Sequence, residues 1–327
     1  MQEFSPIQYI MIDISNAYGM DKCSWQERIS WVANNDSTLE YQDIDADSPI
    51  LYSKAVRAYR EAKAGNPIGH MVSLDSTWSG GQIMAVLMRC TKTAEASNMI
   101  DTGKRIDIYT VVKDYMNNKF GTSITRQDMK DCLMPRYYAS KATAINTFGK
   151  KSTELYAFID TCKQRLPGAE DCLQMMQQTW NNNATHHVWP LPDGHIANVP
   201  VMDKEKKRIK IGDTSFTHIA NVNKPVKDGL AMAANFIQGL DGYIVREMIR
   251  KAKEQSYDLV VIHDSFWCHP NYMQQTRENY LSIIIDMAKK PIMCNWLKEM
   301  GGNCTEDSQA IIDTFVSKLE SAEYFLS

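Results

Sequence analysis

The chain has 327 residues, is 44% hydrophobic, and sets 36 basic against 39 acidic residues, for a net charge of −3 and a pI near 6.2. That apolar content supports a substantial core and more than one domain or subdomain, while the charge excludes nucleic-acid binding by bulk basicity and leaves only a local basic channel open. No run approaches the roughly 18 apolar residues of a membrane span. MQEFSPIQYIMIDIS lacks the basic start of a signal peptide, so the expectation is a soluble, cytoplasmic chain with no membrane partner.

In chain order, the first seventy residues read as helical. SWQERISWVANND opens with Ser24 as N-cap and Glu27 three residues later, a capping box. SPILYSKAVRAYREAKAGNP repeats the pattern, with Ser48 as cap, Pro49 at the first helical position and Gly65-Asn66-Pro67 as the stop. A short β-like run from Met71 to Leu74 then ends at Asp75. The Gly80-Gly81 pair follows, and Gln82 to Cys90 reads as a helix. Helices dominate from 103 to 180. The stretch VWPLPDGHIANVPVMDKEKKRIKIGDT predicts hairpins and puts a basic run (Lys204, Lys206, Lys207, Arg208, Lys210) at the surface. A helix returns over about 225 to 254, then comes LVVIHDSFWCHP, and two helices finish the chain. Eight cysteines stand singly at 23, 90, 132, 162, 172, 268, 294 and 304, with no CxxC pair and no zinc spacing. They read as reduced thiols.

Three constellations carry chemistry. In RQDMKDCLMPRYYAS, Arg126, Lys130, Met134 and Tyr138 recur every fourth residue, so a helix capped by Thr125 and Asp128 puts all four on one slowly spiralling face. Two cations, a thioether and a phenol in that order suit a long ligand with a polyanionic end and a flat end, as in a nucleoside triphosphate. An amphipathic helix with solvated charges would show the same spacing. The other two constellations are LDSTWSGGQ with Asp75 and IHDSF with Asp264. Either aspartate alone could be turn chemistry. Together, both following β-like runs, they could converge in a sheet and hold two Mg²⁺ ions about 4 Å apart, the arrangement used for nucleotidyl transfer.

DSTWSGGQ, RxxxKxxxMxxxYA and HDSF, in that order and widely spaced, resemble the three polymerase motifs of the single-subunit RNA polymerases of bacteriophages and mitochondria. IDISNAYGMDKCSWQERISWVANND resembles the helical segment before the first motif, and ANFIQGLDGYIV the segment before the third, so the likeness covers nearly the whole chain. The resemblance implies a helix-rich α+β fold of right-hand architecture, a palm with an antiparallel sheet and large helical fingers. Residues 1–70 would be a palm-associated helical segment, 71–91 palm, 92–237 fingers, and 238–327 palm and tail. It implies Asp75 and Asp264 as metal ligands with the Ser76 carbonyl. Lys22, Arg126 and Lys130 would hold the triphosphate, with Lys130 also assisting the leaving group. Tyr138 would lie at the ribose, and Met134 favours the RNA branch. Gln238 stands where phage enzymes commonly carry a histidine that reads the minor groove, and His263 would contact the primer end or frame the turn. SAEYFLS resembles the family's apolar tail near the active site.

The implied activity is template-directed ribonucleotidyl transfer with release of pyrophosphate, on a DNA template and a growing RNA transcript. A DNA polymerase or primase-like enzyme, and a non-catalytic nucleic-acid-binding subunit, are the competing readings. Ala139 replaces the family's usual glycine, Pro135 interrupts the helix, and Trp267 replaces a small residue. The match begins near residue 8, without the promoter-binding region, thumb or early palm strand of the phage enzymes. The expectation is therefore a second subunit that covers an exposed sheet edge, as in two-chain phage enzymes, together with accessory transcription factors.

Overall fold

Capping chemistry decides where the early helices start in the computed structural model, which describes every residue except Asp228 and Leu230. Helix α1 (Pro6–Tyr18) begins after Ser5 with Pro6 at its first position and closes on Gly19, whose φ of 114° suits glycine. Helix α2 (Trp25–Asn34) carries the expected box: Ser24 Oγ accepts from Glu27 N, and the Glu27 carboxylate accepts from Ser24 N at 2.7 Å. Two 3-10 turns, Asp36–Tyr41 and Asp43–Asp45, lead to α3 (Pro49–Lys63), where Ser48 holds the N-cap position without making the side-chain bond.

Strand β1 (Val72–Asp75) delivers the chain to α4 (Ser79–Leu87) and α5 (Thr91–Ala96). Helix α4 starts three residues before the expected Gln82, with Trp78 at its N-cap and Gly80 and Gly81 in its first turn, and ends at Leu87, before Cys90. A block of five helices follows: α6 (Ile108–Phe120), α7 (Arg126–Tyr137), α8 (Ala142–Phe148), α9 (Thr153–Arg165) and α10 (Pro167–Gln178). Two hairpins come next, β2 (His186–Pro190) with β3 (Ile196–Pro200), then β4 (Met202–Ile211) with β5 (Thr214–Asn223). All five cations of the basic run lie exposed on β4.

Helix α11 (Ala231–Glu254) starts later than residue 225, and the expected start falls partly on Asp228 and Leu230, outside the described residues. A tight hairpin of β6 (Leu259–Ile262) and β7 (Ser265–Cys268) leads to α12 (Met273–Lys289), α13 (Ile292–Glu299) and α14 (Gln309–Leu319). Three helices thus stand where the sequence reading has two. Pro291 separates α12 from α13, and Gly301, at φ 80°, ends α13. That turn brings the chain back on itself and corrects the thiol expectation: Cys294 and Cys304 form a disulfide, while the other six cysteines are free. Ten residues of spacing carry no disulfide signal until the glycine turn folds them together.

The central sheet is antiparallel in the order β1-β7-β6. Val72, Leu74, Phe266 and Cys268 point from one face into a core continuous from Phe4 to Leu326. There Phe266 meets Tyr280 edge-on and Tyr280 stacks on Phe325. Each such buried ring contributes about 1.5–3 kcal/mol, so this face fixes the register. The sheet's two edges differ. On β1, Ser73 N donates to Asp13 Oδ1 of α1 at 3.3 Å, and His70 Nε2 lies 2.8 Å from Asp13 Oδ2. On β6, no strand pairs the outer edge among the described residues, and Val260 and Ile262 are 47% and 55% exposed.

Candidate active site

The sheet register brings the two motif aspartates together. Asp75 ends β1 opposite Ser265, the first residue of β7. Asp264 sits in the two-residue turn between β6 and β7, with His263 at a φ of 56°, the left-handed geometry a tight hairpin turn requires at its first position. Ser76 N donates to Asp264 O at 3.1 Å, tying the two loops main chain to main chain. Burial pushes the Asp264 carboxyl up, and the charge of Asp75 beside it adds to the rise despite an opposing backbone hydrogen bond.

Behind this pair Gln82 is fully buried and saturated. Its Nε2 donates to Thr77 Oγ1, Ser97 O and Phe325 O, and its Oε1 accepts from Tyr280 Oη at 2.7 Å and Ser76 Oγ at 2.9 Å. Of the Gly80-Gly81 pair, Gly81 has a steric reason and Gly80 only borders the phenol. A Cβ on Gly81 would lie 2.0 Å from the Trp78 ring, and one on Gly80 would lie 3.4 Å from Tyr138 Oη.

Helix α7 forms the facing wall. Its box is as expected, with Thr125 Oγ1 accepting from Asp128 N at 3.1 Å. Arg126, Lys130, Met134 and Tyr138 all line one cleft of about 1400 Å³, shared with Asp75, Ser76 and Asp264. Lys22, Gln238 and His263 line the same cleft, so all ten candidate metal, nucleotide and primer-end residues border it. Arg126 is not free: its Nε and Nη2 donate to Asp107 at 2.6 and 3.1 Å. Lys22 pairs with its neighbour Asp21.

Pro135 lies in the last turn of α7, which ends at Tyr137; Tyr138 is the cap, and Ala139 takes a φ of 66°. That left-handed backbone is the physical reason a glycine would be at home at 139. Burial, then the charges of Asp241 and Asp264, push the Tyr138 phenol up to about 12. It stays protonated, able to donate a hydrogen bond. Trp267, unexplained by sequence, pairs across the sheet with Ser73 and lines the cleft two residues after Ser265.

Three cleft residues escape the motif reading. Asp241 on α11 lies one turn after Gln238 and accepts a long bond from Ser79 Oγ at 3.5 Å. Burial and then Asp264 raise its carboxyl to about 7. Its place in ANFIQGLDGYIV, three residues past Gln238 on one helix face, is a usable signal. Arg105 and Asp107 carry none, since their roles arise from contacts across the fold.

Among the described residues no three His, Cys, Asp or Glu side chains form a metal cage. Two carboxylates and a main-chain carbonyl are nevertheless hard oxygen donors. They suit Mg²⁺, which takes one or two carboxylates and completes its shell with water and substrate phosphates.

Comparison with known proteins bears on the family. The family model described as DNA-dependent RNA polymerase matches residues 4–137 and 125–323. The chain is 22% identical over 360 aligned residues to the "DNA-directed RNA polymerase 1, mitochondrial" of Arabidopsis thaliana, covering 90% of this chain and 36% of that protein. It is 24% identical over 144 residues to a "Probable DNA-directed RNA polymerase" of Gelasinospora sp. (strain G114), covering 39% of this chain and 17% of that protein. The chain thus spans about a third or less of the length of these relatives. With matched segments running through both aspartate motifs and the helix between them, the chain belongs to the DNA-dependent RNA polymerase family.

Proposed function

We propose that this chain is the catalytic unit of a DNA-directed RNA polymerase, adding ribonucleotides to an RNA 3′ end on a DNA template. One observation carries the reading: a wall of two adjacent carboxylates faces a helix of cations and a phenol across a single cleft. The proposal includes the right-hand assignment, with residues 1–70 as a palm-associated helical segment, 71–91 as palm, 92–237 as fingers and 238–327 as palm and tail.

Asp75, Asp264 and the Ser76 carbonyl would hold two Mg²⁺ ions, which when bound stabilise negative charge on the attacking and leaving oxygens. Arg126, Lys130 and Lys22 bind and orient the triphosphate, and Lys130 stands ready to give a proton to the pyrophosphate. Tyr138 offers its phenol O–H to the ribose, with Met134 and Gln238 shaping the sugar and base positions and His263 at the primer end. A DNA template, an RNA transcript and accessory transcription factors are the implied partners. The open β6 edge, bearing Val260 and Ile262 with no charge or proline to protect it, supports a second polypeptide that adds to the sheet there.

The test is Mg²⁺-dependent ribonucleotide incorporation on a DNA template by the assembly purified from its source. Asp75→Asn and Asp264→Asn should each abolish synthesis while template binding survives. Wild-type synthesis by either variant defeats the assignment, and a preference for deoxynucleotides would move it to a DNA polymerase.

A further inference from the structure

Two arginines reach the cleft near the cationic end of α7, and only one of them belongs to that helix. Arg126 is gripped along one side of its guanidinium by Asp107, through Nε–H and one Nη2–H. The guanidinium is a planar fork of five N–H donors, so three remain, two on Nη1 and one on Nη2. Asp107 is itself fixed: it is the N-cap of α6, and its Oδ2 accepts from Thr110 Oγ1 at 2.6 Å. Burial opposes its charge, yet the bonds from Arg126 and Thr110 hold its carboxyl below the usual range.

Two residues earlier, Arg105 is held in the same manner. Its Nε donates to Ser327 Oγ at 2.9 Å, and that hydroxyl also accepts from Arg28 Nη2 at 2.7 Å, while Ser327 N donates to Asp75 O at 2.8 Å. Among the described residues Arg105 has no ion-pair partner, and no other side-chain hydrogen bond uses its Nη groups. A half-buried guanidinium whose direct side-chain partner is a hydroxyl is only partly compensated by carboxylates farther off, and an arriving anion would complete the balance. Burial weakens its hold on the proton, Asp21 and Asp107 strengthen it, and Arg126 weakens it again, so the two guanidiniums feel each other's charge. Both line the cleft with Lys22 and Lys130.

We propose that Arg105 is a further polyphosphate-binding residue, and that Asp107 and Ser327 are positioning residues that leave the Nη edges of Arg126 and Arg105 free for one anion. The ligand class is a chain of linked phosphates, whether the triphosphate of a nucleotide or free pyrophosphate. The proposal rests on the polymerase reading for its substrate but not for its binding chemistry.

Calorimetry on the full chain, in the assembly it forms, separates the two. With Mg²⁺ present, Arg105→Gln should weaken ATP and inorganic pyrophosphate by about 10- to 100-fold, the worth of one charged hydrogen-bonding group, and leave adenosine monophosphate unchanged. Arg105→Lys keeps the charge but loses the fork and should fall between. Asp107→Asn should weaken ATP about 3- to 10-fold with monophosphate binding unmoved. An Arg105→Gln variant that binds ATP within twofold of wild type overturns the proposal, as does one that loses monophosphate binding equally, because that marks a structural role. A wild type that binds pyrophosphate with the expected Arg105 dependence but makes no RNA sinks the polymerase reading and supports this one. A wild type that binds no phosphate chain sinks both.

Discussion

The cleft's two walls handle charge in opposite ways. On the sheet wall Asp75, Asp264 and the nearby Asp241 crowd like charges together, and among the described residues none of them has an ion-pair partner. On the helix wall Arg126 already has its carboxylate in Asp107, and Lys22 has Asp21. The acidic wall therefore carries uncompensated charge, whereas the basic wall is partly neutralised and presents the free edges of its arginines together with Lys130. The difference suits a site that takes a metal on one side and a phosphate chain on the other, since the phosphates have to compete only with water for the open donors.

The comparison can be broken from the acidic side first. Asp75→Asn or Asp264→Asn should lower the Mg²⁺-dependent rate by about a thousandfold or more while melting temperature holds or rises, because like-charge repulsion is relieved. Packing behind that wall comes next: Gly81→Ala drives a methyl into the Trp78 ring and should cost about 3 kcal/mol in denaturant unfolding, with loss of synthesis following from loss of fold. On the basic wall, Lys130→Ala should reduce kcat/KM for the nucleotide by roughly 30-fold, and steady-state kinetics at fixed template checks it.

The smallest effect sharpens the contrast through pH. Asp241 titrates at about 7 in the fold and near 3.8 unfolded, so the folded state binds the extra proton between those values. Stability therefore falls as pH rises from about 4 to 7, and Asp241→Asn should remove its share of that fall, leaving the part due to the raised Asp264. Without Mg²⁺ the variant should be more stable at pH 8 by on the order of 1–2 kcal/mol, with no gain at pH 4. Equal pH dependence in both proteins would mean Asp241 ionises freely and the acidic wall is less crowded than the structure shows.

What was legible in the sequence was local. The Ser24–Glu27 and Thr125–Asp128 boxes sit within one turn, so the residues that write the signal are those that make the bond. The four-residue spacing in α7 put Arg126, Lys130, Met134 and Tyr138 on one face because helical geometry leaves little choice. Apart from the convergence of Asp75 and Asp264 in one sheet, contacts between distant residues were not legible. Asp107 and Arg126 are 19 positions apart, and Arg105 meets Ser327 across 222. The Cys294–Cys304 bond and the break at Pro291 depended on a turn the hydrophobic pattern did not mark.

By itself the sequence determined the capped helix starts at Ser24 and Thr125, the hairpin region, and which carboxylates, cations and phenol are candidates for one site, because side-chain identity and short-range periodicity are written in order along the chain. Only the tertiary structure decided that Asp75 lies beside Asp264, that Asp107 occupies one edge of Arg126, and that β1 is sealed by Asp13 while β6 stays open. Those outcomes depend on strand pairing and on packing against one shared core. Such packing is a property of the whole chain, and no short stretch of residues encodes it.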